Sequence, residues 1–129
     1  MLCPKCKKEM IVVERNDVEL DYCIECNGFW FDKNELDILF KKLTGKESPE
    51  VFKNLYSIPK LNIKTDIRKC PKCGKNMEKF LTHSIILDRC PNHEGVWFDK
   101  DELSKLINYT SSKGEKNAPI EFLGEVFYG

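Results

Sequence analysis

The sequence predicts a small α+β fold that is stabilised by metal and built from two copies of one module. Two observations support this prediction. The seven cysteines of the 129-residue chain occur in three Cys-x-x-Cys pairs and one Cys-x-x-His rather than at scattered positions. A stretch of about 40 residues is also repeated, and internal repetition of this kind defines the structural unit before any other feature does.

The cysteines have the spacing of metal ligands. Sixteen residues separate one Cys-x-x-Cys pair from the next, and the arrangement recurs 67 residues later with a histidine as its last member. Two such pairs at this distance are a strong signal for a zinc ribbon. We therefore predict two zinc ions per chain. The first set of ligands is Cys3, Cys6, Cys23 and Cys26, and the second is Cys70, Cys73, Cys90 and His93.

His93 stands where the first copy has Cys26. Cysteine and histidine share few chemical roles apart from metal ligation, so we predict that His93 is the fourth ligand of the second site. Four protein ligands leave no position for water, which favours structural over catalytic zinc. Iron is an alternative in the four-cysteine site, because tetrahedral sulfur suits both metals. A redox role is less favoured, because the ligands come in fours.

The repeat extends well beyond the ligands, at an offset of 67 residues and without a gap. It includes the sequence Trp-Phe-Asp-Lys at 30–33 and again at 97–100. We predict a first module at 1–44, a linker at 45–69 with a short helix, a second module at 70–109, and a final segment at 110–129. That last segment combines a flexible stretch with an apolar, aromatic tail.

Each module is predicted to contain a β-hairpin between its two knuckles. The hairpin turns are expected at Asn16-Asp17 and at His83-Ser84, because polar residues there separate two apolar stretches. A glycine lies two residues after the last ligand of each module, at 28 and 95. We expect it to supply a backbone conformation that is closed to other residues.

A short helix should end each module. Asp32 and Asp99 each precede a glutamate by three residues, and this spacing resembles a capping box with aspartate at the N-cap. The same spacing explains Glu35 and Glu102 without a catalytic pair of carboxylates. Apolar residues at helical spacing follow, and Gly45 is expected to end the first helix.

The linker and the tail are less regular. Ser48 and Pro49 can open a short helix that continues to about residue 55, and the residues around Leu61 should be extended. The tail, PIEFLGEVFYG at 119–129, is expected to dock on its own chain. A contact with a partner or with a second copy is the alternative.

Composition limits the classes of protein. The chain has 21 Lys and Arg against 21 Asp and Glu, so no global field attracts nucleic acid or a membrane. No run of about 18 apolar residues predicts a membrane span, and the first residues do not resemble a signal peptide. We expect a cytoplasmic protein, in which cysteines serve as metal ligands more often than in disulfides.

The pattern C-P-x-C, C-x-x-[C/H]-x-G-x-W-F-D-x-x-E-L resembles the transcription factor IIB-type zinc-finger family, a group of small zinc ribbons. Both copies carry it, from Cys3 to Leu36 and from Cys70 to Leu103. The resemblance covers roughly 80 residues and implies a zinc ribbon with a trailing helix. The family name suggests transcription, but fold alone does not assign a function.

Two functions of different classes are compatible with these features. One is a non-catalytic module that binds nucleic acid or the transcription machinery, with the basic side chains of Lys64, Arg68, Lys69, Lys72 and Lys75 on phosphate. The other is a protein-interaction or scaffold module with purely structural zinc. An enzyme is less favoured, since the sequence shows no nucleophile–base pair, phosphate loop or open metal site. We expect Trp30 and Trp97 to be core residues rather than platforms for bases.

Overall fold

The fold is known from a computed structural model that describes residues 1–15, 17–45, 47 and 50–111. Six antiparallel strands form one sheet in the order β1-β2-β3-β6-β5-β4. The elements are β1 (Ile11–Arg15), β2 (Val18–Tyr22), β3 (Phe29–Asp32), α1 (Glu35–Thr44), α2 (Glu50–Lys53), β4 (Glu78–Thr82), β5 (Ile85–Arg89), β6 (Gly95–Phe98) and α3 (Glu102–Ser111). This architecture confirms the small α+β fold with two ribbons.

Each module is a three-stranded antiparallel meander followed by a helix. In the second module His83 and Ser84 both have positive φ, 48° and 67°, and connect β4 to β5 as a two-residue turn. Positive φ at both central residues defines the type I′ turn, whose twist matches that of the strands. The predicted turn at 83–84 is therefore confirmed. Gly45 ends α1 with φ 71° and donates its N–H to the Lys41 carbonyl, as predicted.

The two modules join through their third strands. β3 and β6 pair antiparallel, and Trp30 lies opposite Trp97 in the register. The sequence predicts that the long linker lets the modules pack in more than one orientation. In the structure the backbone hydrogen bonds between β3 and β6 fix one orientation and make a single sheet.

The sheet has two different faces. One face packs against α1 and α3 around buried apolar side chains such as Leu20, Phe31, Leu87 and Phe98. The other face buries both tryptophans together with Met10, Met77 and the inner cysteines of the two ligand sets. The metal-binding cysteines therefore belong to a second apolar core, on the side of the sheet away from the helices.

The linker is held against the second module. Arg89 is 5 % exposed and donates from Nη1 to the Leu55 carbonyl at 2.9 Å. Further along, the Leu61 N–H donates to the Lys79 carbonyl at 2.7 Å. The predicted short helix is present as α2, while Ser48, Pro49 and the tail at 119–129 lie outside the described residues. None of the helices in the described ranges is long and apolar enough to cross a membrane.

Candidate metal centres

The first ligand set is assembled as the sequence predicts. The sulfur atoms of Cys3, Cys6, Cys23 and Cys26 all lie within 4.8 Å of one another. Cys3 Sγ and Cys26 Sγ are 3.7 Å apart, too far for a disulfide. Zn–S bonds of about 2.3 Å in a tetrahedron place two sulfurs about 3.8 Å apart, so the cluster fits a zinc ion.

The second set contains three cysteines. The sulfurs of Cys70, Cys73 and Cys90 lie within the same 4.8 Å, and Cys73 Sγ is 3.5 Å from Cys90 Sγ. His93 is not a member of this cluster. Its ring is exposed and stacks on Tyr56 of the linker, with the ring centroids 4.7 Å apart. Two clusters thus fit two zinc ions, but the structure does not bring the imidazole to the second one.

The backbone of each knuckle is turned toward its sulfurs. The N–H groups of Lys5 and Cys6 lie 3.3 and 3.2 Å from Cys3 Sγ, and Asn92 donates to Cys90 Sγ at 3.3 Å. Hydrogen bonds of this kind favour the thiolate over the thiol. They prepare the loop for a cation before any metal arrives.

The knuckle that carries His93 turns differently from the other three. In the other three knuckles, the residue after the second cysteine has positive φ, and its N–H donates to the carbonyl four residues back. These residues are Lys7, Asn27 and Gly74. In the fourth knuckle His93 itself has φ 60°, and its N–H bonds to the Cys90 carbonyl three residues back. Asparagine and histidine accept this region more readily than glutamate, and Glu94 occupies the position of Asn27. The early turn directs His93 to the linker.

His93 therefore remains a predicted ligand, and its substitution tests the prediction. We expect His93→Cys to keep two zinc ions per chain, because either residue completes a tetrahedral set. His93→Ala should weaken zinc binding at the second site only. The measurement is metal content after dialysis against a weak chelator. The control is Tyr56→Leu, which removes the ring stack but keeps an apolar side chain against the core. Two zinc ions retained by His93→Ala would show that His93 is not a ligand.

Burial raises the pKa of several cysteines in the absence of metal. It raises the pKa of Cys3, and it raises the pKa of Cys70 to about 12, against the lowering effect of the backbone N–H groups. The pKa of the exposed Cys73 is lowered, chiefly by the N–H of Lys75. Since zinc binds thiolate, metal binding to these sites must release protons and weaken at acid pH.

A Trp-Asp-Glu connection joins each metal-side core to its helix. Trp30 Nε1 donates to Asp32 Oδ1 at 2.8 Å, and the Asp32 N–H donates to Glu35 Oε1 at 2.6 Å. The predicted aspartate N-cap is wrong, because the N-cap of α1 is Asn34, with φ 70° and no side-chain cap bond. The Asp32 carboxylate instead accepts a hydrogen bond from the Trp30 indole N–H. Of the two capping-box bonds, only the one from the Asp32 N–H to the Glu35 side chain forms. Trp97, Asp99 and Glu102 repeat the connection.

Burial raises the pKa of Glu35 to about 7, from an ordinary 4.5. Between these values the folded state binds more protons than the unfolded state, so this group makes stability fall as pH rises. We expect Glu35→Gln, which keeps the carbonyl acceptor, to be more stable than wild type at pH 8 by about 2 kcal/mol. The gain should shrink toward pH 5.5 in urea unfolding of the zinc-loaded protein. Glu19→Gln, an exposed carboxylate on β2, is the control; a pH-independent difference would contradict the assignment.

The glycine prediction is corrected by the structure. Gly28 and Gly95 do not have positive φ; that conformation lies at Asn27 and His93. A Cβ on Gly28 would stand 2.6 Å from Cη2 of Trp97, and one on Gly95 would stand 2.7 Å from Cε2 of Trp30. Each glycine is therefore required for space, because the tryptophan of the other module lies against it.

Two side chains of the predicted phosphate-binding strip, Arg68 and Lys72, form ion pairs within the fold. Arg68 Nη1 lies 2.6 Å from Asp99 Oδ1, with its side chain 16 % exposed. Lys72 Nζ lies 3.0 Å from Asp32 Oδ1 and so joins the second module to the first. Lys64, Lys69 and Lys75 remain exposed. Spacing alone could not reveal these pairs, since their partners lie more than ten residues away in the chain.

Comparison with known proteins agrees with this geometry. The model of one family, described as transcription factor zinc-finger, matches residues 2–42 and 69–109, which together make up more than half of the chain. The chain belongs to the transcription factor zinc-finger family. The two matches coincide with the two zinc-ribbon modules of this family member. Searches of curated proteins and of solved structures found no match.

Sequence reasoning missed two residues of the second site and one ion pair of the sheet. Tyr56, from the linker, stacks on the His93 ring, and the presence of an aromatic residue in the linker did not indicate this contact. Asn92 Nδ2 lies 4.0 Å from Cys73 Sγ. On the sheet, Lys79 Nζ lies 2.7 Å from Asp88 Oδ1. The sequence does contain a signal for this pair, because the two copies differ here: the first module has Val12 where the second has Lys79.

Proposed function

We propose that the protein is a non-catalytic, cytoplasmic interaction module in which both zinc ions are structural and whose partner is another protein. The observation that carries this proposal is the use of Arg68 and Lys72 in ion pairs within the fold. Two of the five cations that the sequence predicts to contact phosphate are paired with aspartates. The thiolates of the first cluster would fill a zinc coordination shell, which supports a structural rather than a catalytic ion.

A second candidate, nucleic-acid binding, has one observation in its favour. A groove of about 230 Å³ lies between the first knuckles of the two modules and is lined by Lys7 and Lys69 together with Pro4 and Pro71. Both lysines are exposed, so they could contact a phosphate backbone. The chain as a whole is neutral, which makes this the weaker candidate.

The two candidates are separated by capture of partners on the zinc-loaded full chain. For an interaction module, we expect proteins from the native host to be retained after the extract has been treated with nuclease. Direct binding to DNA or RNA should be absent at low ionic strength.

Salt-sensitive binding to nucleic acid would contradict the proposal. The variant Lys7→Gln with Lys69→Gln should then flatten the dependence on salt by about one unit of slope for each phosphate that is no longer neutralised. Lys64→Gln, outside the groove, is the matched control for charge.

A further inference from the structure

The outer edge of β4 is covered by a segment of the same chain. Lys60 forms an antiparallel bridge with Phe80, and the Leu61 N–H donates to the Lys79 carbonyl at 2.7 Å. The linker thus covers this end of the sheet with one bridged residue and one backbone hydrogen bond. An edge strand otherwise presents unpaired N–H and C=O groups that can pair with another chain.

The same linker delivers a cation to a buried carboxylate of β5. Asp88 is 4 % exposed, and Lys79 Nζ lies 2.7 Å from its Oδ1. Arg68 Nη1 lies 3.7 Å from Asp88 Oδ2 and 2.6 Å from Asp99. Asp88 on β5 and Asp99, which follows β6, therefore share the guanidinium of Arg68, a residue of the linker.

The first module repeats the surface without side-chain counterparts of Lys79 and Arg68. The offset of 67 residues aligns Asp88 with Asp21, Lys79 with Val12 and Arg68 with Met1. In both modules the aspartate lies opposite the matched residue of the neighbouring strand: Asp88 is opposite Lys79, and Asp21 is opposite Val12. The partly buried Asp21 forms no ion pair within 4.0 Å in the part of the chain that the structure describes. The N-terminal ammonium and Lys72 lie close enough to act on its charge, but neither reaches ion-pair distance.

The edge of β1 is open as well. In the described ranges β1 pairs with β2 alone, and no bridge corresponds to the one at Lys60. Val12 is 59 % exposed, and Ile11 is 45 % exposed. By the same alignment the Val12 carbonyl is the counterpart of the Lys79 carbonyl that the linker occupies on β4.

The surroundings of Asp21 select the charge of an occupant. Glu14 and Glu19 are exposed on the same face of the sheet, opposite one another in the register of β1 and β2. In the second module the matched residues are the apolar Leu81 and Ile86. The first module thus has two further carboxylates on the face of the sheet that carries Asp21.

We propose that the β1 edge and Asp21 form a docking site for an extended, basic peptide segment of a partner protein. The segment adds beside β1, as Lys60 and Leu61 do beside β4, and places an arginine or lysine against Asp21. Main-chain hydrogen bonds provide affinity in such strand addition, and the charged pair provides specificity. This site gives a partner class to the interaction function proposed above, and it rests on that function.

The tail of this chain is a poorer occupant. Residues 119–129 contain Glu121 and Glu125 and no lysine or arginine, so their charge does not complement the acidic edge. The linker segment that does have the required chemistry is already seated on β4.

The linker sequence provides the probe. A fluorescent peptide with the sequence of residues 58–69, IPKLNIKTDIRK, is titrated with the zinc-loaded full chain, and binding is followed by anisotropy. We expect the peptide to bind, and a peptide with the substitution Arg68→Glu to bind at least about tenfold more weakly, a difference of about 1.4 kcal/mol.

Variants of the protein locate the site. Asp21→Asn removes the carboxylate, and Val12→Lys supplies in cis the cation that the second module has; each should weaken peptide binding by at least about tenfold. Val12→Thr, which keeps a β-branched side chain, is the matched control and should bind as wild type does. Val12→Lys should also raise the melting temperature. Zinc content should remain at two ions per chain in all of them.

Binding that is unchanged in Asp21→Asn and Val12→Lys would place the peptide elsewhere and overturn the proposal. A full chain that binds no peptide, because the tail or another segment holds the edge, would equally overturn it. Host proteins that are captured by wild type and by Asp21→Asn alike would reject this site but leave the interaction function standing.

Discussion

Removing the metal is expected to unfold both modules. Zinc binding to small finger peptides is worth about 10–16 kcal/mol, whereas the net stability of a folded domain is about 5–15 kcal/mol. The cysteines also form half of the apolar core on the face away from the helices. Without metal, burial raises the pKa of Cys3 and Cys70 and so favours their thiols over their thiolates. The binding free energy lost with two zinc ions should therefore exceed the free energy of unfolding of the whole chain.

Tryptophan fluorescence measures this unfolding directly. Trp30 and Trp97 are both fully buried, so chelation should shift their emission to the red together with a loss of circular dichroism. Chelator that has been saturated with zinc is the control, and added zinc should restore both signals. Metal content near zero with an unchanged spectrum would mean that the second core is stable on its own. Mostly iron in the purified protein would reject the zinc assignment of the four-cysteine site.

Gly95→Ala is expected to destabilise the protein by about 3 kcal/mol, toward the upper end of the usual cost of overpacking a core. The added methyl group would meet the backbone carbonyl of Phe31 as well as the Trp30 ring, and neither can move without disturbing the pairing of β3 with β6. Thermal unfolding with zinc present measures the effect.

The matched control is Gly45→Ala at the end of α1. Gly45 has φ 71° and no atom within 4 Å of an added Cβ, so this change tests strain without crowding. It should cost about 1–2 kcal/mol. If Gly95→Ala costs no more than the control, the close approach of the two modules does not contribute to stability.

The features that the sequence predicted correctly are local in the chain or fixed by the repeat. The ligand spacing located both cysteine clusters, and alternating and helical patterns located the hairpins and helices. The buried positions of both tryptophans followed from their recurrence beside the knuckles.

The features that it missed depend on contacts between the modules, on competition for one hydrogen-bonding group, or on one residue of backbone geometry. The role of Gly28 is to leave room for Trp97, a residue 69 positions away, so no local pattern encodes it. The aspartate cap failed because the Trp30 indole competes for the Asp32 carboxylate. The turn at His93 begins one residue early, and ligand spacing alone says nothing about where a side chain then points.

The pairing of β3 with β6 has a consequence for the origin of the chain. The contact is reciprocal: the tryptophan of each half covers the glycine of the other, and the register runs through Trp30 opposite Trp97. Two identical single-module chains could make the same contact around a two-fold axis, because an isologous interface requires only that one surface complement itself. The molecule has the architecture of a homodimer whose subunits have been fused by duplication. Fusion freed the halves to diverge, so that Arg68 and Lys79 are present in one half and absent from the other.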